Sequence, residues 1–484
     1  MGLVAKQTFY NLLSIGFAFV LGAINTLYMY PNFMGSGLQG VIIALLAYSN
    51  LIQPFISFGL QHAIIKYFSS FKTKDERDSL LIFSLWSPLI IIFLMAIYLW
   101  IFSASIIEDI SSKEPLLSTY AFVIILIAIS TSYFEIFFSW LRVNLTSVFG
   151  NFLKEFYPRF LNFALLVFYA LNFINFEIFI YGLIIGYYLR LLLVIIYSLK
   201  IYKPKLIFNL PPFFFKIVFY SFLIFLSGAA SSIILDIDKS MIAFLITSND
   251  VAFYSVALFI AAVVEAPGRA MLQIVSPLVS KAINLDDKVY LKSLLKKSSN
   301  NLFLVSGALF LLINLNLNDF YAFVNQSLYS VAIGVVSVVS IGKLYSMSVG
   351  CLNNIISNSK YYPYVFWFSI LSATVAIILN FYLIPKYGIM GAAYATLFVI
   401  IMINTLKLLV IVCGLKIHPY SKKSIKILLL IIFAYFIIKE IKLEYSSFIN
   451  LSIRSIVILF FYSISSYFLG LSKDITIQIN KYFK

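Results

Sequence analysis

Charge is what this sequence has least of. Only 11% of its 484 residues are Asp, Glu, Lys or Arg, against about 25% in a soluble domain, so a water-soluble fold could not be covered. Cysteine and histidine are scarcer still, at two each. Cys351 and Cys413 cannot staple a disulfide scaffold, and with His62 and His418 they make no metal-ligand set, so no metal or cofactor is expected. Long hydrophilic tracts are missing as well, which excludes a disordered chain and an extramembrane domain. What is there is apolar: 62% hydrophobic residues, 18% aromatic, mean hydropathy +0.99. A membrane-crossing helix needs about 20 mostly apolar residues, and fourteen apolar stretches, from 8–30 to 448–470, run along the chain. The expected class is an all-α polytopic membrane protein with about 14 transmembrane helices.

A net charge of +16 would suggest a nucleic-acid partner in a soluble chain. Here the basic residues sort by side of the membrane. Of 35 Lys and Arg, 25 fall at the termini or on even-numbered connections, 4 on odd-numbered ones (Lys113, Lys386, Lys439, Lys442), and 6 inside apolar stretches. The positive-inside rule then puts both termini in the cytoplasm of a bacterial (inner) membrane, with membrane lipids and no nucleic acid as partners. The other side carries the acidic stretch around Glu108, Asp109 and Glu114. The first apolar run lacks a small-residue cleavage site, so no cleavable signal is expected. Lys6 stands where a myristoylation signal needs Ser or Thr.

A shift of about 213 residues lays Pro54 on Pro267, Asn25 on Asp238 and Ala44-Leu45 on Ala257-Leu258. Coincident intramembrane prolines mark matching bends, and internal repeats are common in transporters. The expected organisation is a six-helix lobe at 1–215, a second at 216–424, and two further helices with a cytoplasmic tail at 425–484.

Ionisable side chains in the apolar stretches are costly, at least about 2.5–3.5 kcal/mol near the bilayer centre, so they face a cavity or a partner. The set is Glu135, Arg190, Asp236, Asp238, Lys239, Glu265, Arg269 and Lys343, four acids and four bases. Asp236 and Lys239 share a helix face. One reading makes them a structural pair; the other gives Asp238 a gating or ion-coupling role and Lys239 a contact with an anionic substrate. Glu265 and Arg269 flank a Pro-Gly break, as an intrahelical pair or as parts of a cavity wall. Arg190 either snorkels to the interface or faces a central space. Lys343 lies on a helix rich in Gly and Ser, which reads as cavity-lining, whereas Lys407 and Arg454 are expected to snorkel. An Asp-x-Asp nucleotide-sugar site is set aside because it needs a roomy polar domain.

The run Asn380-Phe381-Tyr382-Leu383-Ile384-Pro385-Lys386-Tyr387-Gly388-Ile389-Met390-Gly391-Ala392-Ala393-Tyr394-Ala395-Thr396 resembles the hairpin between helices eleven and twelve of Wzx-type polysaccharide flippases. These belong to the multidrug/oligosaccharidyl-lipid/polysaccharide exporter superfamily. In physical terms Pro385 should end a helix, Gly388 make the turn, and Gly391-Ala392-Ala393 allow close helix contact. Gly37-Leu38-Gln39-Gly40 with Phe58-Gly59-Leu60-Gln61-His62-Ala63 resembles the family's opening hairpin, and Asp236 to Tyr254 its seventh and eighth helices; Ala252 stands where the family tends to have Gly. The resemblance spans roughly residues 1–412. It implies two six-helix lobes around a central cavity that work by alternating access. It also implies an undecaprenyl-diphosphate-linked oligosaccharide (an O-antigen, capsule or exopolysaccharide repeat unit) turned from the cytoplasmic to the outer leaflet. A polysaccharide polymerase and chain-length machinery are the implied partners, and no enzymatic activity is implied. Only Asp238 and Lys239 fall on a family motif.

Cations in a wet cavity would offset the cost of desolvating a diphosphate. Arg190, Lys239, Arg269 and Lys343 are therefore the candidates for the anionic headgroup, and Asp238 and Glu265 for gating or ion coupling. An ion-coupled multidrug exporter on the same fold is the alternative and predicts dominant acids. A polysaccharide polymerase or ligase is a second alternative, but it would want a sizeable outward loop.

Overall fold

The computed structural model describes residues 3–471 except 112, 113, 145, 208, 325, 442 and 443; the side chains of 3–12, 103–111, 227, 231, 270 and 273 are also outside the description. Lys113, Lys442, Lys473, Lys481 and Lys484, and the side chains of Lys6, Glu108 and Asp109, therefore lie outside the described residues. The regular structure among the described residues is all helix, with no strand among them. This follows from the solvent: in hydrocarbon every backbone N–H and C=O must be satisfied within its own segment or a closed barrel. Among the described residues eleven helices are long and apolar enough to cross a membrane, or twelve with one bent pair. Two of the fourteen expected stretches account for the difference. The stretch 160–175 falls on a 14-residue helix, short for a span, and 427–439 on an 18-residue helix that includes four lysines.

Contacts group the chain into two compact units, Met1–Ala252 and Phe253–Lys484. This grouping differs from the expected boundary at 215/216 because the helix Phe214–Leu245 packs against the helix Gly35–Ser57; a division by contact and a division by repeat are different cuts.

The first unit runs α1 (Leu3–Ile24), a π-helical turn (Asn25–Met29), α2 (Tyr30–Phe33), α3 (Gly35–Ser57), α4 (Leu60–Tyr67), α5 (Lys74–Ser111), α6 (Pro115–Thr119) and α7 (Phe122–Val143). It continues with α8 (Ser147–Glu155), α9 (Tyr157–Ala170), α10 (Phe176–Ile201), α11 (Phe214–Leu245) and the start of α12 (Ser248–Ala262). α3 packs between α11 and α7, and α7 between α3 and α10. Its core holds Phe134, Phe138, Trp140 and Leu141 of α7 against Ala63, Ile64, Leu80 and Leu81. α3 ends where Phe58 and Gly59 both turn left-handed, and a Cβ on Gly59 would sit 2.4 Å from the Ser221 carbonyl oxygen, so only glycine admits α11 this closely. α11 bends by 45° between Ala230 and Ser232.

At the N-terminus of α12 the Ser36 hydroxyl donates to Asn249 Oδ1 at 2.6 Å, and the Ser248 backbone N–H donates to Glu114 Oε1 at 2.5 Å. Ser36 and Asn249 are 213 residues apart, the offset of the sequence repeat, so the two hairpins touch at equivalent positions.

The second unit takes α12 on through a 3₁₀ turn (Val263–Glu265) into α13 (Ala266–Asn284), then α14 (Lys288–Phe323), α15 (Ile333–Ser348), α16 (Leu352–Asn358), α17 (Pro363–Tyr387), α18 (Ile389–Leu415), α19 (Lys422–Lys439) and α20 (Ser447–Phe468). Pro267 lies just after the 3₁₀ turn, whereas its repeat mate Pro54 lies inside α3. The α17–α18 hairpin matches the expectation at Gly388, which makes the turn with φ +58°, and at Gly391, where a Cβ would lie 2.2 Å from the Leu383 carbonyl oxygen. Pro385 does not end α17, which runs two residues further to Tyr387. Near a helix C-terminus a proline loses one hydrogen bond and the helix can close around it. α20 is held to α14 by polar groups. Arg454 pairs with Asp319 and also donates to the Leu315 carbonyl at 3.1 Å, while Asn450 donates to Asp319 at 3.3 Å. Arg454, expected to snorkel, is instead held by a carboxylate and a carbonyl of the neighbouring helix.

Candidate functional site

Arg190 lies on α10 and is 5% exposed. Its Nη2 donates to Thr131 Oγ1 on α7 at 3.2 Å, and its guanidinium carbon sits 4.4 Å from the Phe134 ring centroid and 4.6 Å from that of Tyr187. Among the described residues Nε has no hydrogen-bond partner and no carboxylate forms an ion pair with Arg190. Burial against two ring faces answers the snorkelling alternative: this side chain stays inside. Glu135, one turn along α7 from Thr131, is taken instead by Lys154 of α8 at 2.7 Å.

Asp236 and Lys239 form the intrahelical pair at 2.7 Å, with Asn50 of α3 donating to the other carboxylate oxygen at 3.1 Å. Tyr48, on the same stretch of α3, donates to the Ser240 carbonyl at 2.7 Å. Asp238 is buried, 8% exposed, and engaged with its surroundings. Lys239 thus reaches its site already matched by a carboxylate.

In the second unit Glu265 at the 3₁₀ break is met by Lys343 of α15, 2.5 Å away, both side chains about a third exposed. Arg269 is exposed and engaged. Gly268 of α13 lies against the Met347 side chain of α15, where a Cβ would sit 2.5 Å from Sδ. Lys343, on the Gly- and Ser-rich helix expected to line a cavity, is thus matched by a carboxylate of the 3₁₀ turn. Lys407 donates to Asn353 at 3.0 Å on an exposed surface.

The six candidate residues therefore fall into three places: Arg190 against α7, Asp238 and Lys239 on α11 beside α3, and Glu265, Arg269 and Lys343 around the α12–α13 break. Thr131 and Asn50, which hold two of these places together, are not singled out by composition; a polar residue in an otherwise apolar helix was the available signal. None of the six lines the 780 Å³ groove between α19 and α20, whose walls include Leu429, Phe433, Phe436, Phe461 and Phe468. That groove suits hydrocarbon and not a charged head. Among the described residues no three of His, Cys, Asp and Glu gather as a metal site.

Residues 4–283 match the model of a family described as polysaccharide biosynthesis protein. No curated protein sequence matches. Among solved structures, the lipid II flippase MurJ in an inward closed conformation superposes with a TM-score of 0.74 at 17% identity, covering 95% of this chain and 98% of that one. An inward-facing multidrug resistance MATE family transporter of the MOP superfamily superposes at 0.61 with 14% identity, covering 85% and 95%. At such identities the likeness is one of fold.

Proposed function

From the premise that this chain belongs to the polysaccharide biosynthesis protein family and is a multi-pass membrane transporter of the flippase type, we propose that its cargo is a lipid-linked oligosaccharide. The carried species is a polyprenyl (undecaprenyl) diphosphate bearing a sugar repeat unit, moved to the outer leaflet by alternating access. The observation that supports this reading is Arg190. A guanidinium 5% exposed with no carboxylate partner among the described residues is costly at membrane depth unless an anion visits it. Its planar fork matches phosphate oxygens in pairs, which a lysine cannot do. Lys239, Arg269 and Lys343 are proposed as further contacts to the same head, with Lys239 and Lys343 exchanging Asp236 and Glu265 for phosphate oxygens. Asp238 and Glu265 are proposed to govern gating. We place the basic-rich ends and both termini in the cytoplasm of the inner membrane, with a polymerase and chain-length machinery downstream.

The multidrug reading would be favoured by open interior carboxylates. Glu135, Asp236 and Glu265 each hold a lysine, which does not favour it.

The test is export in cells lacking their own flippase, and uptake of a fluorescent polyprenyl-diphosphate sugar in proteoliposomes. Arg190→Gln is expected to insert normally and to lose transport, while Arg190→Lys retains a fraction of it. Wild-type transport by Arg190→Gln would remove the assignment.

A further inference from the structure

Four residues of α7 share one helix face at spacings of four, three and four: Thr131, Glu135, Phe138 and Arg142. Across the eleven steps from Thr131 to Arg142 the face runs about 16 Å along the axis, from the level of Arg190, which meets Thr131, to Arg142 in the last turn of α7. Its floor is aromatic. Phe134 and Phe138 stack at 6.0 Å between centroids, Arg190 lies on the Phe134 ring, and both Lys154 (5.7 Å) and Arg142 (5.8 Å) lie by the Phe138 ring. Exposure falls along the row: Arg142 is exposed, the Lys154 side chain is 40% exposed, that of Glu135 18%, and Arg190 5%. His62 of α4 feels the charges of Arg142, Glu135 and Lys154 and belongs to the same neighbourhood.

We propose that this face is a capture track for the diphosphate, on which Arg142 and Lys154 take the anion first and pass it to Arg190. The proposal rests on the lipid-diphosphate reading above and adds residues that reading does not use. Ring faces hold each cation while leaving its N–H groups free to meet an anion. Three cations in series would bind a diphosphate too tightly to release it, and transfer along a row of sites needs each to be weak enough to leave. Glu135 supplies that weakness: it competes for Lys154 from one side while the anion competes from the other. An uninterrupted row of cations would trap the head; a lone Arg190 would be slow to find it.

The measurement is stopped-flow binding to the full-length protein in proteoliposomes. The probe is a polyprenyl diphosphate carrying one fluorescent sugar, with inorganic diphosphate as competitor. Arg142→Gln and Lys154→Gln are expected to slow capture about tenfold each and leave final affinity within about twofold; Glu135→Gln is expected to slow release about tenfold. Inorganic diphosphate should slow capture by the wild type and lose that effect in Arg142→Gln; equal competition in both would count against the track. The exchange of Glu135→Lys with Lys154→Glu restores a merely structural pair, so wild-type capture by the exchanged protein would overturn the track. Wild-type capture and release in Arg142→Gln, Lys154→Gln and Glu135→Gln, with affinity lost in Arg190→Gln, would also overturn it and leave the proposed function standing. Failure of the wild type to bind the lipid probe would sink both.

Discussion

The pair formed by Asp236 and Lys239 allows structural and transport roles to be separated in one experiment. The carboxylate accepts from Lys239 at 2.7 Å and from Asn50 at 3.1 Å, with side-chain exposures of 12% for Asp236 and 23% for Lys239. Asp236→Asn keeps the shape and leaves an uncompensated ammonium, and Lys239→Gln leaves an uncompensated carboxylate. Breaking a buried pair from one side costs about 3–5 kcal/mol. Residual exposure of both groups puts the expectation at the low end, about 3 kcal/mol for either single change. The double variant removes both charges at once and should be destabilised by only about 1 kcal/mol, because a neutral replacement of a paired site is close to neutral. The assay is reversible unfolding in mixed micelles by a double-mutant cycle, with transport of the polyprenyl-diphosphate sugar measured on the same four proteins. Additive losses, or single losses below about 0.5 kcal/mol, would refute the claim that the pair is desolvated. A double variant that is stable and silent in transport supports Lys239 as a headgroup contact; one that is stable and fully active removes Lys239 from the binding set.

Two further predictions use other contacts. A Cβ on Gly40 would lie 1.7 Å from the Ser248 carbonyl oxygen, backbone that cannot step aside, so Gly40→Val should cost about 1–3 kcal/mol or more and part the start of α3 from the start of α12. In a Cys413→Ser background, which removes the exposed thiol, Ser36→Cys with Asn249→Cys should cross-link readily, and adding Gly40→Val should cut the yield several-fold; an unchanged yield would refute the close approach. Arg454→Gln leaves Asp319 with only Asn450 of its two described α20 partners and should cost about 3 kcal/mol. Protease cutting in the α19–α20 connection should then rise, and cutting at the wild-type rate would show that this pair does not hold α20.

Much of the helix content could be read directly from the linear pattern. The apolar stretches 117–140 and 178–199 fall mainly on α7 (Phe122–Val143) and α10 (Phe176–Ile201), and Gly388 made its turn as expected. The stretches 160–175 and 427–439, which give no full span, are those whose helices are short or lysine-bearing. The Asp236–Lys239 pair was legible because its partners are three residues apart on one helix. Glu265 with Lys343, Glu135 with Lys154, and Asp319 with Arg454 were not, since each joins two different elements whose facing surfaces only packing sets.

The amino-acid order by itself determined that the chain is a set of apolar helices carrying a few costly charges, because a bilayer leaves the backbone no other way to satisfy its hydrogen bonds and because hydropathy is a property of each segment alone. Which of those charges meet a counter-charge, and that Arg190 meets a threonine and two aromatic rings instead, only the tertiary structure decided: neutralisation at membrane depth depends on which helix face lies within about 3 Å, and that is set by packing between segments.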